Sequence, residues 1–135
     1  MYYVSKCNCG SITISCHFPL PIEEYSARKC DCDFCMARGL SYLSDVNGTI
    51  FFSSSNKMNQ LTQGSGQAKF WQCAKCEDVI AVTHAYNSEI RGAVSKALFD
   101  DKYSLKPSIC VSPKKLSASE KTNRWSSVWS TVISN

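Results

Sequence analysis

No low-complexity tract, internal repeat or block of like charge occurs in this chain, which removes repeat arrays, disordered tails and polybasic arms from consideration. No apolar run is long enough to span a bilayer, so no membrane helix is expected. The opening Met1-Tyr2-Tyr3-Val4-Ser5-Lys6-Cys7 has no basic lead followed by an apolar segment, and the cytoplasm is therefore the expected compartment. A formal net charge of +4 is mild and scattered, too little to argue for nucleic acid. The aromatic residues fall mostly at alternating positions that fold inward, which also argues against a base-stacking surface. What remains is one domain spanning residues 1–135, a length that buries roughly two-thirds of the unfolded surface.

Against that plain background the chain holds nine cysteines, an odd number that full internal disulfide pairing cannot satisfy. Seven fall into three close groups: Cys7/Cys9, Cys30/Cys32/Cys35 and Cys73/Cys76. Grouped thiols in a chain without a secretory signal point to metal rather than to a disulfide framework. Thiolates are soft ligands that suit Zn²⁺, which takes four of them in a tetrahedron. Seven thiols do not complete two tetrahedra; four plus three is the natural split, and it leaves one site a ligand short. Two separate pairs make the four-thiol site, and Cys7, Cys9, Cys73 and Cys76 fit that description. Spacing alone leaves open a pairing of the first group with the second. Cys16 and Cys110 stand alone and read as small core hydrophobes.

Along the chain, Cys7-Asn8-Cys9-Gly10 is a turn whose glycine supplies the positive φ that a metal knuckle needs. Ser11 to Phe18 alternates with period two, a half-buried strand with Ile12, Ile14, Cys16 and Phe18 on the core face and His17 outward. Pro19 and Pro21 stop it. Glu24 to Lys29 is an extended lead into the three-thiol loop, after which Met36-Ala37-Arg38 make a helical turn ending at Gly39. Leu40–Ser44 and Thr49–Ser53 read as two strands of a hairpin across Asp45-Val46-Asn47-Gly48, because Asn-Gly is a strong hairpin turn. Ser53 to Gly66 is polar and reads as a loop.

Lys69 to Gln72 enters the Cys73-Ala74-Lys75-Cys76 knuckle as a strand and Val79 to Tyr86 leaves it, the arrangement of a zinc ribbon. Ala93–Phe99 and Ser108–Val111 are further extended pieces, with Pro107 and Pro113 as stops. Trp125, Val128, Trp129, Val132 and Ile133 recur at helical spacing, which predicts a C-terminal helix packed on the sheet or, on a sharper reading, a homo-oligomer contact. His84 lies in an apolar run and reads first as a satisfied core histidine, second as a fourth metal ligand.

The order Cys-x-Cys-Gly, Cys-x-Cys-x-x-Cys, then an aromatic-rich strand into Cys-x-x-Cys resembles the glutathione-dependent formaldehyde-activating enzyme family, relatives of centromere protein V. The likeness runs from about Cys7 to Pro107, where Leu105-Lys106-Pro107 is similar to that family's Lys-Pro ending. It implies a compact, mostly β Mss4-like zinc-binding fold with two Zn²⁺ ions. The zinc on Cys7, Cys9, Cys73 and Cys76 would be structural, and that on Cys30, Cys32 and Cys35 catalytic. It also implies carbon–sulfur lyase chemistry on a thiol adduct such as S-(hydroxymethyl)glutathione. Glu77 stands where the family has glycine, so that knuckle is expected to be reshaped or mildly strained. For a glutathione-like thiol, with its carboxylates, the expected cationic rim is Arg38, Arg28 and Lys29, and Asp31 and Asp33 are candidates for moving protons. The alternative is a non-catalytic protein-interaction module in which both zincs are structural and His84, Cys110 or another side chain closes the second tetrahedron.

Overall fold

A computed structural model describes residues 1–52, 58–63, 66–100 and 102–133. Eleven strands and three short helices occur among them: β1 (Tyr2–Lys6), β2 (Thr13–His17), β3 (Ser26–Cys30), α1 (Asp33–Arg38), β4 (Ser41–Leu43), β5 (Thr49–Phe52), β6 (Met58–Leu61), β7 (Lys69–Cys73), β8 (Val79–Ala85), β9 (Ile90–Ser95), α2 (Ala97–Asp100), β10 (Lys106–Val111), α3 (Ala118–Val128) and β11 (Ser130–Ile133). The mostly β architecture with a C-terminal helix is the one expected.

One mixed sheet runs β1-β2-β5-β11-β9-β4-β3-β10, and a β8-β7-β6 wing leaves it at β9. Strand β9 makes this branch possible by dividing one edge between two partners. Arg91 and Gly92 pair with β11, Val94 and Ser95 pair with β4, and β8 takes the opposite edge. Strands β8 and β9 are therefore buried on both faces. Ile80, Ala81 and Val94 join the main core with Ile12, Ile14 and Phe18, while Val79, Val82 and Ala93 face a second cluster that contains Cys32 and Cys35. The second face is where the three-thiol loop lies.

The period-two reading of β2 holds: Ile12, Ile14, Cys16 and Phe18 are all buried and His17 is exposed. Burial pushes the Cys16 thiol up to about 12, as befits a core residue. Cys110 does not share that environment. It is exposed on β10, the outermost strand, paired on one side only with the parallel β3. Pro107 does not stop β10 but lies inside it, at a register shift between Lys106 and Ile109. An edge strand tolerates the missing amide there.

Four other expectations are corrected. The turn at 45–48 forms, with the Gly48 amide donating to the Asp45 carbonyl at 2.8 Å, yet β4 and β5 do not pair with each other. Strands β11 and β9 stand between them in the sheet. Ser130 Oγ donates to the Asp45 carbonyl at 2.7 Å and accepts its amide at 2.9 Å, while the Thr131 amide donates to the Gly48 carbonyl at 3.1 Å. The helical stripe likewise ends early. Helix α3 stops at Val128, Trp129 is extended, and Val132 and Ile133 belong to β11, where β-branched residues fit the pleat.

Within Ser53–Gly66, Met58–Leu61 is a strand paired with β7, and Met58 is buried opposite Cys73. Backbone hydrogen bonds to an open edge outweigh the polar side chains of Asn59 and Gln60. Residues 53–57 and 64–65 lie outside the described residues, as does the Ser53 end of the expected strand. The extended reading of Ala93–Phe99 fails after Ser95, because α2 turns Leu98 and Phe99 into the core beneath β1.

Candidate metal centre

Each cysteine group sits where a strand gives way to a turn. Cys7 follows β1, and the turn closes with the Gly10 amide donating to the Cys7 carbonyl at 2.9 Å while Gly10 adopts φ 77°. Cys73 ends β7, and the Glu77 amide returns to its carbonyl at 2.9 Å. Glu77 adopts φ 65°, a left-handed conformation that suits glycine, so the strain expected of that knuckle is present. The Asn8 amide donates to Asp78 Oδ2 at 2.7 Å, tying the two knuckles together across 70 residues of sequence.

The four sulfurs of Cys7, Cys9, Cys73 and Cys76 lie within 4.8 Å of one another. Cys9 Sγ is 3.6 Å from both Cys7 Sγ and Cys73 Sγ. A Zn–S bond of roughly 2.3 Å puts tetrahedral sulfurs roughly 3.8 Å apart, whereas a disulfide needs roughly 2.05 Å. The set therefore fits a four-thiolate zinc and no disulfide, and all nine cysteines are free. Hydrogen bonding with Ser11 holds the Cys9 thiol down at about 6, whereas burial raises Cys76 to about 12. The Ile12 amide donates to Cys7 Sγ at 3.4 Å.

The second group is built by β3 and α1. Cys30 ends β3, Cys32 is the N-cap of α1, and Cys35 is buried in its first turn. Cys32 Sγ accepts the Cys35 amide at 3.4 Å, in the manner of an N-cap side chain, and Cys30 Sγ accepts the Cys32 amide at 3.5 Å. Gly39 ends α1 at φ 63°, its amide donating to the Cys35 and Met36 carbonyls. The Asp31 amide bonds the Val111 carbonyl at 3.1 Å, and Ser112 Oγ donates to Asp31 Oδ2 at 2.5 Å, so β10 braces the loop.

The three sulfurs also lie within 4.8 Å of one another, and among the described residues no histidine, carboxylate or further cysteine joins them. Their donor set fits a zinc ion with one position left to another ligand. A hydrogen bond from Cys35 holds Cys30 at about 6; the same bond pushes Cys35 up, and burial pushes Cys32 up. Two neutral groups attend them: Gln63 Nε2 donates to Cys32 Sγ at 3.5 Å, and the Tyr42 hydroxyl is 3.7 Å from Cys35 Sγ. Burial raises the Tyr42 pKa well above the ordinary phenol range, so it stays protonated.

Cys30, Cys32 and Cys35 all line a cavity of about 150 Å³. Phe70, Val82, Trp125 and Trp129 give it apolar walls, and Tyr42 and Gln63 give it polar ones. The indoles of Trp125 and Trp129 stack at 4.6 Å between centroids, 5° from parallel, and both are buried within this chain.

A crystal structure of a Rhodobacter sphaeroides protein from structural genomics is similar at TM-score 0.54 and 22% identity, covering 81% of this chain and 100% of that one. That degree of likeness shows the fold. No family model matches the chain, and no curated protein does.

Of the three cations expected at the rim, Arg28 lines the cavity, while Lys29 is exposed and does not. Arg38 is also away from it, exposed, with its guanidinium 3.9 Å over the Phe34 ring and bonded to the Phe34 carbonyl. Asp33 is exposed in the first turn of α1. His84 Nδ1 is paired with the Gln67 carbonyl at 2.7 Å, and its ring packs against Tyr86 and Trp125, so it is a satisfied, half-buried histidine. Sequence reasoning missed Tyr42, Gln63, Lys121 and Arg124, all of which line the cavity. The last two were readable in part: they precede Trp125 and Val128 by four residues, on one helical face.

Proposed function

We propose that this protein is a cytoplasmic zinc-dependent enzyme of carbon–sulfur lyase type, joining a small thiol to formaldehyde, or releasing it from the adduct, at Cys30, Cys32 and Cys35. The observation that carries the reading is the three-sulfur group opening into a cavity, with no fourth metal-binding side chain of the usual kinds beside it among the described residues. The four-sulfur group keeps a structural role, because it ties the β1–β2 and β7–β8 turns together. The resemblance to the formaldehyde-activating family supports the same assignment. Among the described residues no helix is long and apolar enough to cross a membrane.

When bound at the three sulfurs, zinc supplies the Lewis acidity that makes a ligand thiol give up its proton near neutral pH. The chain does the rest. The three cysteines fix where the thiol sulfur sits, and the apolar walls limit the water around it. As the sulfur adds to the aldehyde carbon, one C–S bond forms, the carbonyl π bond breaks, and the oxygen takes up one proton to give the hydroxymethyl thioether. That proton is the one the thiol gave up, and Tyr42, held neutral, offers its hydroxyl as a hydrogen-bond donor to the oxygen as charge develops there. Arg28 is the cation carried into substrate binding.

The test is ¹³C NMR exchange of labelled formaldehyde with a thiol over zinc-loaded protein. Hydroxymethyl thioether exchange is expected to run faster than in buffer and to fall to the buffer rate with Cys32→Ser. No acceleration with either glutathione or a simple carboxylated thiol would overturn the reading.

A further inference from the structure

Among the described residues three cations line the cavity and no carboxylate does. Arg28 comes from β3, two residues ahead of Cys30, while Lys121 and Arg124 come from α3. Arg28 is half-buried, with Nη1 donating to Ser44 Oγ at 3.2 Å. None of the three belongs to an ion pair among the described residues. Apart from the three thiols that zinc would occupy, these cations face no anionic side chain among the described lining residues, and a carboxylate brought there would relieve their mutual repulsion. The apolar part of the wall includes Phe70, Val82, Val128 and the stacked Trp125 and Trp129.

Resting on the reading above, we infer that the cavity selects a small thiol bearing one carboxylate on an apolar, ring-sized body, and discriminates against zwitterionic thiols such as glutathione. Size argues for this, because about 150 Å³ is the volume of a cavity that holds one benzene-sized molecule. Charge argues for it as well. The ammonium of a zwitterionic thiol would meet Arg28, Lys121 and Arg124 and find no carboxylate among the described lining residues. The flat Trp and Phe faces favour an aromatic body over a peptide chain.

Calorimetric titration of the zinc-loaded protein tests this with the three mercaptobenzoate isomers, thiophenol and glutathione as probes. The isomers hold sulfur and carboxylate at three separations. The best of them is expected to bind at least tenfold more tightly than thiophenol and than glutathione. Arg124→Gln, an exposed position, should weaken that isomer about fivefold and leave thiophenol unchanged; Lys121→Gln is the second variant should the first fail to fold. Glutathione binding as tightly as the best isomer would overturn the inference, as would either variant weakening thiophenol equally. Selective carboxylate binding without formaldehyde exchange would sink the proposed reaction and leave this inference standing. Exchange with every thiol alike would do the reverse.

Discussion

Glu77→Gly should make this protein more stable, although it removes a side chain. Glu77 holds φ 65° because the Cys73 knuckle turns sharply enough for its amide to reach the Cys73 carbonyl at 2.9 Å while its own carbonyl accepts Gln72 Nε2 at 3.1 Å. A non-glycine residue in that conformation costs about 1–2 kcal/mol. Glycine removes the strain but gains freedom in the unfolded chain, worth about 0.4–1 kcal/mol against folding. The net gain is about 0.5–1 kcal/mol, since the exposed Glu77 side chain gives up little packing. In a domain of this length that raises Tm by about 3 °C. Urea unfolding at a fixed free zinc concentration is the assay, because metal bound only to the folded state otherwise shifts the midpoint. Glu77→Ala is the control: it discards the carboxylate but keeps Cβ, and should stay within about 0.5 kcal/mol of the parent protein. If alanine stabilises as much as glycine, charge repulsion beside the thiolates is the cause and the strain argument is refuted.

Other perturbations separate the parts of the fold. Cys73→Ser should unfold the protein, since a structural zinc contributes on the order of 10 kcal/mol, comparable with a whole domain's stability; a cooperative melt by circular dichroism would contradict the closed site. Ser130→Ala strips the buried hydroxyl that serves both backbone groups of Asp45, and should cost about 1–3 kcal/mol in urea unfolding. Ser117→Ala breaks the capping box with Glu120 and should cost about 1 kcal/mol, read together with a change in Trp125 and Trp129 fluorescence. Hydrogen bonds from Ser117 lower the Glu120 pKa in the folded state, so its contribution to α3 is complete above the ordinary glutamate range. It is lost as pH falls through the lowered folded value, which a pH series of the Ser117→Ala difference would show.

The knuckles were legible because their information is local. Two thiols on a tight turn, with Gly10 beside them, state their chemistry within a few residues, and the three groups pooled as four and three. Partner choice between strands is not local. The Asp45–Gly48 turn was read correctly and its hairpin was not, because Ser130, more than eighty residues on, bonds both Asp45 backbone groups and β11 takes the edge of β5. A period of 3.6 was followed past Val128 for a related reason: nothing near Val132 announces that β5 and β9 leave a place between them. The cations show the same limit. Arg38 is near the loop in sequence and lies over Phe34, whereas Arg124 reaches the cavity from α3.

The most direct test of the central division of sulfur is the number of zinc ions per chain, counted by native mass spectrometry in protein prepared with zinc. Two ions on the parent chain and one on a folded Cys32→Ser variant are predicted. A parent chain holding a single ion, or a Cys32→Ser variant holding both, would contradict it.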